Sequence, residues 1–371
     1  MIEPASGPLS SALSKSVLIP HGLGYNIYVR ELGRAYAARG FEVAFGTSSL
    51  HSEKLRPALI HLQWPEEHYR WTGGGTPEAL SEKFLQALRA WSSRGVKIAW
   101  TVHNIAPHEH VSSPLDRHVY QEVLSLASVV VHHCEVSRAL LRERYAVPSG
   151  ACEIVQPHGA YFGYPQRLDK VTARASLGVP PDAFVFLSFG RIRAYKGFDL
   201  LLDAYKRCDV RRKYLLVAGV YADQPRRGRI RLALIKRFAR RVQLLLHEIP
   251  DDEVQPLVAA CDAVVLSHRA GLNSGVAVLG MTFGRVVVGP RTGCIASVLE
   301  QGTNVLYDAG DVGALTHALE EASRLDLDAA ERANVGVAKT WTWERIVDAV
   351  LQVSQDLSHV NTASHLDRCS F

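Results

Sequence analysis

The sequence predicts an α/β protein made of two doubly wound domains that face each other across a cleft. Short runs rich in valine, leucine and isoleucine alternate with helical patterns, as expected for parallel strands buried on both faces. The 371 residues suffice for two domains, since a domain takes roughly 100–200 residues. Glycine and proline cluster between 159 and 181, where the first series of strands ends. We therefore expect an N-terminal domain over 1–165 and a C-terminal domain over 166–340.

Each domain shows its own series of strands and helices. The first series has expected strands at 16–20, 41–45, 58–62, 97–102 and 128–133, and helices at 76–93, 116–127 and 135–145. The second has expected strands at 183–189, 213–219, 242–247, 262–267, 285–289 and 304–307, with helices between them up to 311–323. The polar residues 356–371 predict a frayed tail. Ligands of open α/β sheets bind at the carboxyl ends of strands, so residues that follow strands are the candidates for function.

The composition is that of an ordinary globular protein. With 47% hydrophobic and 21% charged residues, wholesale disorder and long coiled coils are excluded. No run approaches the ~18 apolar residues of a membrane-spanning helix, and the first residues lack a secretory signal pattern. The net charge of +5 is compatible with an anionic substrate or membrane surface. The six cysteines form no C-x-x-C pair, so we expect small apolar side chains in a reducing cytoplasm.

The segment GRIRAYKGFD at 190–199 follows a buried strand and opens a helix near Lys196. Arg191 and Lys196 would flank a helix N-terminus, whose free amides attract anions. Arginine offers a planar fork to a phosphate and lysine offers a mobile charge. The pair is typical of a diphosphate site, although a solvated basic loop would show the same residue types.

A second strand–loop–helix–strand segment, 268–290, places Asn273, Ser274 and Gly275 where a helix should start. Asparagine and serine are good N-caps, and glycine lets another backbone or a ligand approach closely. The amides here could hold a phosphate. A simple capped core helix is the alternative.

Four further segments follow strands of the first domain and point towards the same cleft edge: HGLG at 21–24, 61–75, 101–110 and 155–161. Carboxylates and imidazoles are the usual general bases, and aromatic faces suit sugar rings. The candidate catalytic residues are Glu109, Glu66 and His103. The candidate residues for binding a sugar or a phosphate are Gly22, Gly24, Trp64, Asn104 and His158, which the resemblance described below assigns to the acceptor.

Other readings of these motifs are weaker. HGLG lacks the third glycine and the acidic residue of a dinucleotide site, which disfavours a dehydrogenase. The histidines of 101–110 match no common zinc spacing, so we expect no metal. The basic segment 226–241 carries eight Lys/Arg and is either a helix that lies on anionic lipid or a core-packed helix with a solvated face. No recognition motif supports nucleic-acid binding.

Over roughly 16–355 the chain resembles the GT-B glycosyltransferases, which use nucleotide sugars. GRIRAYKGFDLLLDA is similar to the family segment G-R-x-x-x-x-K-G-x-D-x-L-L-x-A, and 249–266, 283–288 and 21–43 are also similar. The resemblance implies two Rossmann-like domains, the N-terminal one binding the acceptor and the C-terminal one the donor. It also implies that 341–371 is a helix that packs back towards the N-terminal domain, followed by a polar tail. Arg191 and Lys196 would hold the donor diphosphate.

Many family members carry two glutamates eight positions apart, where this sequence has Gly271 and Leu279. The absence of these glutamates argues against the family's usual ribose contact and against the retaining mechanism that accompanies it. HLQWPE, TVHNIAPHE, PHGAY, IRAYKG and NSG together resemble bacterial exopolysaccharide enzymes that add β-mannose from GDP-mannose to a polyprenyl-diphosphate oligosaccharide.

The resemblance therefore implies an inverting, metal-independent hexosyltransferase that needs no cofactor besides its donor. Its partners would be the nucleotide sugar, a lipid-linked oligosaccharide and the anionic inner face of the cell membrane, where a peripheral cytoplasmic protein would dock. A retaining α-glycosyltransferase with a GDP- or UDP-sugar and a non-catalytic glycan- or nucleotide-binding subunit are the alternatives. The sequence leaves the general base undecided between Glu66 and Glu109, with a slight preference for Glu109.

Overall fold

The computed structural model describes residues 15–23, 27–107, 113–165, 168–221 and 241–359, with side chains to 355. The strands of the first domain are β1 (Ser16–Ile19), β2 (Glu42–Phe45), β3 (Leu59–Leu62), β4 (Lys97–Thr101), β5 (Val129–His132) and β6 (Cys152–Val155). Those of the second are β7 (Phe184–Phe189), β8 (Lys213–Ala218), β9 (Val242–Leu245), β10 (Ala263–Val265), β11 (Val286–Pro290) and β12 (Val305–Tyr307).

Helices alternate with the strands of both sheets. The first domain has α1 (Ile27–Ala37), α2 (Pro77–Ser93), α3 (Pro114–Leu126) and α4 (Glu135–Arg144). The rest of the chain has α5 (Lys170–Leu177), α6 (Phe198–Arg207), α7 (Asp251–Ala260), α8 (Gly275–Thr282), α9 (Gly293–Leu299), α10 (Val312–Ala322), α11 (Leu327–Ala338) and α12 (Trp343–His359). Short 3₁₀ helices span Thr47–His51, Pro65–His68 and Ala194–Lys196. No helix among these residues is long and apolar enough to cross a membrane.

Two six-stranded parallel sheets confirm the predicted pair of doubly wound α/β units. The first sheet has the order β2-β1-β3-β4-β5-β6 and the second β12-β11-β10-β7-β8-β9. Strand order reverses between β1 and β3 in the first sheet and between β7 and β10 in the second. Ligands of such sheets bind at this switch point, outside the carboxyl ends of the strands. The loops after β1, β3, β7 and β10 are therefore well placed to contribute to a site.

The chain passes between the two units twice. Near 160 it leaves the first sheet, and the Ala160 amide donates to the Trp341 carbonyl oxygen at 2.8 Å. The Trp343 indole Nε1 donates to the Ala160 carbonyl oxygen at 2.7 Å. A Cβ on Gly159 would overlap the Trp343 ring, so glycine is required at this close approach. Beyond it, α12 lies against α1, and Arg39 pairs with Asp348.

Three expectations need correction or fall outside the described residues. Cys134 and Cys294 do not act as lone apolar side chains, because they form a disulfide. The tail does not begin at 356, because α12 continues to His359. Most of the basic segment 226–241 and the final residues 360–371 lie outside the described ranges. The domain limits at 165 and 340 stay predictions.

Candidate active site

A cavity of about 370 Å³ lies between the two sheets, and most of its lining residues follow β3, β4, β6, β7 or β10. From the first domain it is lined by Trp64, Glu66, His103, Asn104 and His158. From the second it is lined by Arg191, Lys196, Asn273 and Gly275. All of them are residues that the sequence singled out. The fold thus brings both groups of candidates to one cleft, while the role of each stays a prediction.

Glu66 is a buried carboxylic acid at the wall of this cavity. It is 1% exposed, since the 3₁₀ turn at Pro65–His68 tucks it under the end of β3. The Tyr120 hydroxyl donates to its Oε2 at 2.7 Å, and the Asn104 amide donates to its Oε1 at 3.5 Å. Burial raises the pKa of Glu66 to about 7, against the opposing effect of these hydrogen bonds. A carboxylate with a pKa near neutrality is suited to accept a proton.

Arg191 and Lys196 bring positive charge to the opposite wall. Within the described ranges neither side chain is paired with a carboxylate. Burial, and after it the charges of Arg193 and Arg191, lower the pKa of Lys196 to about 8. The ammonium therefore stays mostly protonated at pH 7. Cations that no protein carboxylate neutralises favour an anionic ligand such as a diphosphate.

The loop that carries Lys196 is fixed to the loop after β10. Gly197 adopts φ +60°, and a Cβ there would overlap the Ser267 carbonyl oxygen. The Ser267 hydroxyl donates to the Lys196 carbonyl oxygen at 2.7 Å. Arg269 donates to both oxygens of Asp199 at 2.8 and 2.6 Å. These contacts hold the Lys196 backbone in place before any ligand arrives.

Helix α8 begins at the cavity, as the sequence predicted, but its N-terminus is built differently. Ser274 occupies the N-cap position without a side-chain capping bond. The Asn273 amide instead crosses to the first domain and donates to the carbonyl oxygens of His103 at 2.9 Å and Val102 at 3.3 Å. A Cβ on Gly275 would come within 2.8 Å of the Tyr161 hydroxyl oxygen. Asn273 therefore bridges the domains where a helix cap was expected.

His103 and Trp64 form an aromatic wall. Their rings stack with centroids 4.0 Å apart. The His103 Nε2 lies 2.9 Å from the Gln63 side-chain oxygen, in the interior. Burial, together with the neighbouring His133, holds the pKa of His103 well below its usual range. The ring is therefore neutral and contributes a flat face, which suits stacking against a sugar.

Two further buried imidazoles are held in one tautomer. His133 Nδ1 donates to the Gln156 carbonyl oxygen at 2.9 Å, so its Nε2 accepts from the Tyr28 hydroxyl at 3.2 Å. His158 Nδ1 donates to the Gly159 carbonyl oxygen at 2.8 Å, so its Nε2 accepts from the Tyr161 hydroxyl at 3.2 Å. Burial lowers the pKa to about 4 for His133 and about 3 for His158. These rings orient Tyr28 and Tyr161 at the cavity.

His21 and Gly22 of the HGLG segment are held beside the cavity rather than in its wall. The Gln63 amide donates to His21 Nε2 at 2.8 Å, which leaves Nδ1 to donate to Glu67 at 2.9 Å. The Gly22 amide also donates to Glu67, at 3.0 Å. Burial alone would raise the pKa of Glu67, but these bonds outweigh it and lower the pKa. Gly24 and Glu109 lie outside the described ranges, so their predicted roles have no geometry to test them.

Five residues that the sequence did not single out also line the cavity: Tyr28, Trp71, Tyr161, Arg193 and Tyr195. Tyr28 lies among the buried residues of α1, and its spacing there is that of a core residue, so the pattern alone does not mark it as part of a site. Arg193 and Tyr195 stand between Arg191 and Lys196 and were accessible to sequence reasoning. Among the described residues, no group of three or more His, Cys, Asp or Glu is arranged to hold a metal.

Residues 169–336 match the family model described as glycosyl transferases group 1. This part of the chain is a glycosyltransferase group 1 domain. The match contains Arg191, Lys196 and the start of α8, which form the cationic wall of the cavity. The cation-lined side of the cleft is thus the side that belongs to the glycosyltransferase domain.

Two curated relatives are similar beyond that domain. The GDP-mannose:glycolipid 4-beta-D-mannosyltransferase of Xanthomonas campestris pv. campestris is 27% identical over 301 residues, which covers 78% of this chain and 76% of that protein. The D-inositol 3-phosphate glycosyltransferase of Segniliparus rotundus is 25% identical over 380 residues, which covers 88% and 83%.

Solved structures share the architecture of the whole molecule. The sucrose-phosphate synthase of Thermosynechococcus elongatus superposes with a TM-score of 0.73 at 19% identity, over 94% of this chain and 100% of that chain. HepE of Anabaena, in complex with UDP and glucose, gives 0.69 at 17% identity, over 94% and 100%. At such identities the likeness shows the fold. It is the GT-B fold, with the glycosyltransferase group 1 domain as its second half.

Proposed function

We propose that this protein transfers a hexose, mannose from GDP-mannose, onto a lipid-linked oligosaccharide with inversion at the anomeric carbon. The observation that carries the proposal is one cavity with Arg191 and Lys196 on one wall and a buried carboxylic acid, Glu66, on the other. Among the described residues, no carboxylate pairs with either of these two cations. The similarity to a GDP-mannose:glycolipid 4-beta-D-mannosyltransferase supports the choice of sugar and acceptor. The setting would be exopolysaccharide or cell-surface glycan synthesis.

In this proposal the donor diphosphate lies against Arg191, Lys196 and the start of α8. When the bond from the sugar to the diphosphate breaks, negative charge grows on the leaving oxygen. Fixed cations and helix amides stabilise that charge without reorganising, and no metal ion is required for it. Arg191 and Lys196 are the proposed donor residues, with the amides around Ser274 and Gly275.

Glu66 is the proposed general base. It accepts the proton of the attacking acceptor hydroxyl, while that oxygen forms the new bond to the anomeric carbon and the nucleoside diphosphate leaves. Trp64, His103, Asn104 and His158 offer the flat and polar surfaces on which an acceptor sugar would lie. Glu109 stays the second candidate base.

A lipid-linked acceptor would bring the protein to the inner face of the cell membrane as a peripheral protein. Exposed apolar side chains stand at the end of the first sheet, where Leu23 is 44% and Trp71 is 54% exposed. Trp71 also lines the cavity, so this edge connects the surface to the site.

The deciding experiment is thermal unfolding of the purified protein with GDP, UDP or ADP, each with and without magnesium. A ligand that binds the folded state stabilises it and so raises the melting temperature. At a ligand concentration of a hundred times the dissociation constant, the free energy of unfolding rises by roughly 2.7 kcal/mol. We expect a shift with GDP that does not need magnesium and that Lys196→Ala abolishes. Lys206→Ala is the matched control, because Lys206 is an exposed lysine on α6.

The alternatives give other outcomes. A preference for UDP or ADP would keep the glycosyltransferase assignment and reject GDP-mannose. Nucleotide binding without transfer to any lipid-linked acceptor would favour a non-catalytic subunit. The anomeric configuration of the product, read by NMR, separates inversion from retention.

A further inference from the structure

The two domains are joined covalently at one edge of the cleft. A disulfide links Cys134 to Cys294, which lie 160 residues apart in sequence and have Cα atoms 5.6 Å apart. Cys134 stands at the N-cap position of α4, directly after β5, and Cys294 lies in the first turn of α9. Cys152, Cys208 and Cys261 are buried.

The disulfide adjoins the cavity wall on both sides. In the first domain Cys134 follows His133, whose ring orients Tyr28. In the second domain the Cys294 amide donates to the Leu272 carbonyl oxygen at 2.8 Å. The next residue is Asn273, which bonds across to His103. The disulfide and the hydrogen bond from Asn273 to His103 therefore connect the two domains along the same edge of the cleft.

We propose that Cys134 and Cys294 form a redox latch, which sets whether the cleft can open. While the disulfide is intact, α4 and α9 cannot separate, and the cleft keeps its present width. Reduction breaks the S–S bond and forms two thiols. The two electrons and two protons come from a small dithiol, which is itself oxidised to a cyclic disulfide.

A second cavity, of about 380 Å³, gives such a reductant a place to act. It is lined by Thr292 and Gly293 at the start of α9, by Leu272 in the loop before α8 and by Leu140 of α4. It therefore lies beside the two helices that the disulfide joins. The cysteines themselves are 7% and 1% exposed. Reduction should therefore be slower than for a surface disulfide, because attack needs access to a sulfur.

The latch matters for turnover because substrates and products pass through an opening cleft. That consequence rests on the proposed function. The latch itself rests only on the disulfide and on the packing of α9 against α4.

The test uses the full chain, held in excess oxidised dithiothreitol or in reduced dithiothreitol, with no nucleotide added. Each sample is alkylated and mapped by peptide mass spectrometry, and its radius of gyration is measured by small-angle X-ray scattering. We expect a peptide pair linked through Cys134 and Cys294 in the oxidised sample only. We also expect a larger radius of gyration after reduction.

Cys134→Ser and Cys294→Ser should show the larger radius in both buffers, and Cys208→Ala should behave as the unchanged protein. If a serine variant fails to fold, reduction of the unchanged protein still gives the answer. Alkylation of both cysteines in the oxidised sample would overturn the proposal. So would a linked pair whose reduction leaves the radius of gyration unchanged. Neither outcome depends on which sugar nucleotide the protein uses.

Discussion

At the scale of single residues, the cavity holds two ionisable groups whose pKa values are both shifted towards neutral pH, one upwards and the other downwards. Burial raises the pKa of Glu66 to about 7 and lowers that of Lys196 to about 8. Glu66 is mostly ionised, and so able to act as a base, above about pH 7, and Lys196 is mostly positively charged below about pH 8. Both charged forms are present together only in the narrow range between these two values.

We therefore expect a bell-shaped dependence of kcat/KM on pH, with its maximum between about 7 and about 8. The rate should rise as Glu66 loses its proton and fall as Lys196 loses its proton. Lys196→Arg should abolish the alkaline fall, because arginine stays charged throughout. Steady-state rates measured from about pH 5.5 to about pH 9.5, at intervals of about one pH unit or less, would show both limbs of the profile. An alkaline fall that persists in the arginine variant would assign it to another group.

Glu66→Gln should reduce the transfer rate by roughly 10²–10⁴-fold, since it removes the proton acceptor and keeps the shape. Glu67→Gln is the matched control: Glu67 bonds to His21 and Gly22 outside the cavity wall, and we expect a much smaller loss. Glu109→Gln belongs in the same series. Full activity of Glu66→Gln with loss in Glu109→Gln would move the base to Glu109.

The free energy of unfolding should carry a signature of the same carboxyl group. Because its pKa is raised in the folded state, the folded protein binds a proton more tightly than the unfolded chain. The contribution to stability is fully present below about 4.5 and is lost as the pH rises through about 7. Urea unfolding at several pH values should show this slope in the unchanged protein, and Glu66→Gln should flatten it.

At the scale of elements, the sequence predicted most of the strands and helices but not the contacts that the loops make. Continuous Val/Leu/Ile runs place β7 and β8 almost to the residue, because strands buried on both faces have no other reason to be so apolar. The bridge from Asn273 to His103 involves positions 170 residues apart, and nothing local distinguishes it from an N-cap. Residue type places Arg191 and Glu66 near a cleft. Only the three-dimensional packing shows that Glu66 is buried and that, within the part of the chain that the structure describes, no carboxylate pairs with Arg191.

The tight join between the loops after β7 and β10 makes Gly197 irreplaceable. Gly197→Ala should lower the free energy of unfolding by about 2 kcal/mol or more, from the left-handed backbone and from overlap with the Ser267 carbonyl oxygen. Gly336→Ala is the opposite case, because Gly336 lies within α11 with nothing within 4 Å of an added Cβ. It should raise stability by about 0.5–1 kcal/mol. Urea unfolding measures both, and equal effects would refute the distinction.

At the scale of the whole molecule, Trp343 is a central contact where the chain returns to the first domain. Trp343 donates to Ala160, covers Gly159 and stands 4.7 Å from Tyr28 between ring centroids. Trp343→Ala should cost about 3–5 kcal/mol of stability and expose α12 to limited proteolysis. Trp71→Ala is the matched control, since Trp71 is 54% exposed and its loss should change stability by under about 0.5 kcal/mol. Similar protease resistance in both variants would contradict this account.

The double passage of the chain also governs how such a molecule can be recombined. Ile346, Val347 and Val350 of α12 are fully buried, and this helix lies on α1 and on the strands of the first sheet. A gene fragment that ends at the first passage would therefore leave an uncovered apolar face on the first domain. The second sheet and its helices, in contrast, are inserted between the two passages of the chain, near 160 and near 341. A functional chimera would exchange that middle piece alone and keep the last helix with the first domain.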